Sequence, residues 1–139
     1  MEKYAEEAVV LAVDPGSAKC GVAVVARSGR VLHRAIVSTA ELPSQVQTLT
    51  AQYQPVELLV GRGTGSKPIL SALQSSGLTV PLQSVDEAHT SEQARRRWVA
   101  ETPPRGLEWL LPKSLRTPSV PYDDYVAVIL AERFWAERA

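Results

Sequence analysis

Asp14, the pair Asp86-Glu87 and the pair Asp123-Asp124 are the side chains of this sequence best placed to do chemistry. Asp14 closes the run Val9-Val10-Leu11-Ala12-Val13, the kind of apolar, β-branched stretch that forms a strand buried on both faces. A carboxylate there is rare unless it is paired or binds metal. Asp86-Glu87 ends a later apolar run in the same way, and Asp123-Asp124 opens the last helical stretch. Convergent carboxylates, in a chain with two histidines and one cysteine, suit hard, oxygen-seeking cations such as Mg2+ or Mn2+. Such ions activate water and stabilise the leaving oxygen in phosphodiester hydrolysis. Each acid also has a plainer role open to it. Asp-Pro-Gly is ordinary turn chemistry, Asp86 would serve as a helix N-cap, and Asp123 and Asp124 would complement a helix N-terminus. It is their joint arrival at one edge that points to chemistry.

The elements between them must produce that meeting. Ala8 to Asp14 and Cys20 to Arg27 read as strands, and Ser28-Gly29 turns the chain into a third, Arg30 to Ser38. Thr39 to Gln54 predicts a helix capped by Ser38 or Thr39, with Leu42, Val46, Leu49 and Tyr53 along one face. Val56 to Val60 is a short buried strand, followed by the loop Gly61 to Gly65. A second helix begins near Ser66 and stops before Gly77. Thr79 to Val85 is a fifth strand, and a helix follows from about Thr90 to Ala100. Residues 101–121 hold five prolines and admit no regular element. The last helix spans Tyr122 to Arg138. An antiparallel three-strand meander, then two strands reached by helical crossovers and so parallel to the first, predicts an α/β fold. Its five-stranded mixed sheet carries helices on both faces. Such a sheet gathers its parallel carboxyl ends on one edge, where sites collect. The small Ala127 and Ala131 let the last helix lie close and bring its first turn to that edge.

A chain of 139 residues, 45% of them hydrophobic, predicts one domain over 1–139. No apolar stretch approaches the roughly 20 residues that span a bilayer. The acidic Met1 to Glu7 does not read as a signal peptide, so a cytoplasmic location is expected. The single cysteine, Cys20, excludes an internal disulfide and reads as a small core residue. The net charge of zero is a caution against nucleic-acid binding, yet between Arg95 and Arg116 six basic residues face two acidic ones. Either a basic face or the solvated side of a helix accounts for Arg95, Arg96 and Arg97.

These motifs together resemble the RNase H-like nucleases of the YqgF and RuvC group, with YqgF the nearer likeness over almost the whole length. Leu11-Ala12-Val13-Asp14 through Gly21-Val22-Ala23-Val24 is similar to the family's first hairpin, and Val60-Gly61 to the end of its fourth strand. The turn Asp14-Pro15-Gly16-Ser17 looks more like the RuvC branch. Asp86-Glu87, with Thr90-Ser91 and Ala94-Arg95, resembles the signature Asp-Glu-Arg-x-Thr/Ser-Thr/Ser-x-Glu-Ala. Asp123, followed by Ala127-Val128-Ile129, Glu132 and Phe134, resembles the closing helix. The family's arginine after Asp-Glu is Ala88 here, its Gly-Leu-Pro is Gly61-Arg62-Gly63, and its first-turn lysine is displaced to Lys19.

The resemblance implies a metal-dependent nuclease for branched DNA (Holliday-junction resolution) or structured RNA (pre-ribosomal processing), alone or as a homodimer. Asp14, Glu87 and Asp123 would hold Mg2+ or Mn2+, with Asp124 as substitute or fourth ligand. Lys19, Arg62, Lys67 and Arg95 to Arg97 would hold phosphates, contacts that carry no sequence reading. The segment 101–121, with Trp109, would be a flap over bound nucleic acid or a loop docked on the domain. The rivals are a non-catalytic RNase H-like binding module and an actin-like kinase, the latter needing two such domains.

Overall fold

The two apolar runs nearest the start of the chain form the middle of a five-stranded sheet. The computed structural model describes residues 7–16, 18–63, 66–86, 93–94, 96, 100 and 124–138, with the backbone of Asp123. Strands β1 (Val9–Asp14), β2 (Lys19–Ala26) and β3 (Val31–Ser38) form the antiparallel meander. β4 (Glu57–Gly61) and β5 (Leu82–Val85) run parallel to β1, in the spatial order β3-β2-β1-β4-β5. The expected sheet is therefore the observed one. The hairpin loop is Arg27-Ser28-Gly29, closed by the Ala26 N–H on the Arg30 carbonyl at 2.8 Å, with Gly29 at φ 95°. Only glycine takes that left-handed position without strain.

Alternation along the strands sorts side chains into two cores. Leu11, Val13, Val22, Val24, Leu58 and Val60 lie on one face under α1 (Leu42–Tyr53) and α2 (Ser66–Gln74), which contribute Leu42, Val46, Leu49, Ile69 and Leu73. Val10, Ala12, Ala23, Val25 and Leu59 lie on the other, under α3 (Asp123–Glu137). Ala127 and Ala131 are fully buried there, as their size predicts. Tyr125, Val126 and Ile129, on another side of α3, pack with Ala94. This helix is thus covered on more than one side, which explains why Tyr125 through Ala131 are all buried. Trp135 donates from Nε1 to the Val25 carbonyl at 3.1 Å, tying α3 to β2 beside the register shift between Val24 and Val25.

Two boundaries differ from expectation by three residues each. Residues 39–54 are not one helix. Thr39–Glu41 is a 3-10 turn capped by the Ser38 hydroxyl, which accepts from the Glu41 N–H, and the α-helix starts at Leu42 with Pro43 in its first turn, where a missing N–H costs least. The fifth strand begins at Leu82 rather than Thr79. Pro81 has no N–H for a ladder and contributes only its carbonyl, which accepts from Leu58. The expected helix after β5 is described only at Gln93, Ala94, Arg96 and Ala100, all helical, and the 101–121 segment lies outside the described residues. Among the described residues no helix is long and apolar enough to cross a membrane.

Candidate active site

Asp14 is the last residue of β1, half-buried, and alternation from Val10 and Ala12 places its carboxylate on the α3 face. Its partner across the antiparallel ladder is Gly21. On the other side Val13 pairs with Val60, so Gly61 lies level with Asp14. Glycine stands level with it on both neighbouring strands, and positions without a Cβ let a ligand approach closely.

Among the described residues, three basic side chains stand at the ends of elements that meet this edge. Lys19 opens β2 two positions from Gly21, exposed and on the same face as Asp14. Arg62, exposed, follows β4 and is held by its N–H on the Val85 carbonyl at 2.8 Å. Lys67 is exposed in the first turn of α2. Asp86, also exposed, stands just beyond β5. A cavity of about 460 Å³ continues from this edge between β5 and α3, with Arg62, Asp86, Arg133 and Arg138 among its lining. A larger cavity, about 880 Å³ and lined by Val9, Ala26 and Tyr53, opens at the far end of the sheet, away from every predicted site residue.

Asp124 is engaged elsewhere. Its carboxylate accepts from Arg34 Nε of β3 at 3.0 Å, and the same guanidinium lies 4.1 Å from the centre of the Tyr125 ring. Arg34 sits opposite Ala23, on the α3 face, so it fastens the first turn of α3 to the meander. The sequence reading missed this arginine. Its parity along β3, which puts it on the α3 face although it is itself exposed, is the signal that could have found it. Asp123 is the first residue of α3, adjacent to Asp124 and so about 100° away around the helix. Glu87 and the side chains of Asp123, Arg95 and Arg97 lie outside the described residues; Arg96 is helical and exposed. Among the described residues no three acids, histidines or cysteines gather into a metal-binding group.

No family model matches the sequence, and no curated protein matches it. Solved structures do. Thermus thermophilus RuvC, in a complex with Holliday junction substrate, superposes with a TM-score of 0.60 at 20% identity, over 94% of this chain and 95% of that one. A second structure of T. thermophilus RuvC gives 0.60 at 19% identity over the same shares. The fold is therefore RNase H-like, the fold that these two structures share.

Proposed function

We propose that the protein is a divalent-metal-dependent nuclease that hydrolyses phosphodiester bonds in branched DNA. The observation that carries this reading is Asp14, half-buried at the carboxyl edge of the sheet between two glycine positions, with Lys19 exposed on the same face and Arg62 and Lys67 exposed just beyond the carboxyl end of β4. The RuvC fold supports it, since a RuvC structure holds a Holliday junction. In the proposal Asp14, Glu87 and Asp123 hold Mg2+ or Mn2+, an all-oxygen set that fits hard cations. The commitment of Asp124 to Arg34 supports Asp123 as the ligand and gives Asp124 the task of anchoring the helix. Bound there, the metal would activate water and neutralise charge on the leaving oxygen. Lys19, Arg62 and Lys67 would hold the backbone phosphates, with Arg95 to Arg97 extending the track. A homodimer in the cytoplasm is part of the proposal, because a four-way junction offers two equivalent strands.

The test is a panel of four-way junctions, single-stranded DNA and precursor RNA incubated with Mn2+ or with EDTA. Junction cleavage in Mn2+ alone is expected. Cleavage confined to RNA would move the substrate to structured RNA and the likeness to YqgF. Tight junction binding with no cleavage in any metal would leave a binding module.

A further inference from the structure

The turn that carries Asp14 is fastened from the opposite side of the sheet by one hydroxyl. Thr39 Oγ1 donates to the Gly16 carbonyl at 3.2 Å, and Cys20 Sγ lies 3.6 Å from the Thr39 hydroxyl oxygen. With the hydroxyl proton committed to Gly16, the thiol is the donor in the second contact. The Thr39 backbone N–H in turn donates to the Ala18 carbonyl at 2.9 Å. Thr39 therefore holds both limbs of the turn, the descending one at Gly16 and the ascending one at Ala18 and Cys20.

The chain between Gly16 and Asp14 is stiff enough to transmit that hold. Pro15 has its φ fixed by the ring and restricts Asp14 to extended conformations. A side chain on Gly16 would collide with the Lys19 carbonyl oxygen, so the two limbs are already in backbone contact. Once the Gly16 carbonyl is held, few torsions remain through which the Asp14 carboxylate could drift. Thr39 is itself held, at the junction of β3 and the 3-10 turn, by the last ladder pair Lys19 with Ser38 and by the Ser38 cap.

We infer that Thr39 is a positioning residue for Asp14, setting the carboxylate for metal and substrate without touching either. The inference rests on the proposed nuclease reading. Carboxylates that serve such chemistry must sit within about 0.5 Å of the productive geometry, and small misplacements cost rate rather than substrate affinity.

The experiment compares Thr39→Val, which keeps the shape and loses the hydroxyl, with Thr39→Ser, which keeps the hydroxyl. Junction cleavage is measured as kcat and KM, Mn2+ affinity by calorimetry, and junction affinity in EDTA by anisotropy. Thr39→Val is expected to lower kcat and weaken Mn2+ binding by about tenfold each, with KM and metal-free junction affinity within about twofold of the wild type. Thr39→Ser is expected to restore both. Should Thr39→Val not fold, Thr39→Ala against Thr39→Ser isolates the same hydroxyl. Wild-type kcat and Mn2+ affinity in a folded hydroxyl-less variant would overturn the inference, as would equal loss of KM and metal-free binding. If the wild type cleaves no nucleic acid, the nuclease reading fails. The Mn2+ titration then decides Thr39 alone, and a wild type that binds no Mn2+ overturns both.

Discussion

The two faces of the sheet are built for different tasks. On the α1 and α2 face, large aliphatic side chains meet large aliphatic side chains, Leu11, Leu58 and Val60 against Leu42, Leu49 and Leu73. On the α3 face, Ala12 and Ala23 stand among Val10, Val25 and Leu59 in the sheet, and Ala127 and Ala131 among Val128 and Leu130 in the helix, with Phe134 and Trp135 toward the helix end. The first face is a general hydrophobic core, tolerant of volume-conserving change. The second sets how closely one helix approaches Asp14. Asp14, Arg34 and the first turn of α3 all belong to this second face.

The sharpest test of the difference is Asp14→Asn. The variant is expected to lose metal-dependent cleavage by at least about a hundredfold. Its unfolding midpoint should be unchanged or slightly higher, since the proposal sets Glu87 and Asp123 beside Asp14 and the change removes one of those like charges. Normal cleavage by a folded Asp14→Asn protein would end the proposal.

Next comes a matched pair of core changes. Leu58→Ala on the first face should cost about 2–5 kcal/mol in denaturant unfolding, while the folded fraction keeps its turnover. Ala131→Leu on the second should cost about 1–3 kcal/mol yet reduce turnover per folded molecule, because it lifts the helix that bears Asp123. Equal turnover in the two variants would show that the faces do not divide as described.

A smaller effect separates the adjacent acids. Asp123→Asn should lose more cleavage than Asp124→Asn, and Arg34→Ala should resemble Asp124→Asn, each losing up to about 1 kcal/mol of stability from a partly exposed ion pair. A larger activity loss in Asp124→Asn would move the ligand by one residue. The smallest expected change lies in the basic stretch after β5. Replacing Arg95, Arg96 and Arg97 by alanine should flatten the dependence of log affinity on log salt by up to about three units. An unaltered slope would make them a solvated face.

Much of this was readable along the chain because the signals are local. Continuous apolar runs marked β1, β2 and β4, Ser28-Gly29 marked the hairpin, and Gly77, at φ 79°, marked the stop after α2. Crossover logic then gave the parallel direction of the two later strands and placed Asp14 on the carboxyl edge. The break of the helix at Leu42 was not readable, because the propensity of the segment does not distinguish a 3-10 turn from a first α turn. The late start of β5 was legible in Pro81 and overlooked.

By itself, then, the sequence determined the elements, the mixed sheet, the burial of Cys20 and the candidate acids, since each depends on residue type within a few positions. Tertiary structure alone decided which side chains spend themselves on one another. Arg34 and Asp124 lie on β3 and α3, and Thr39 reaches Gly16 across 23 positions of chain. Periodicity assigns a residue to a face, but hydrogen bonds and ion pairs need an angle and about 3 Å, and those are set only when strands and helices have docked.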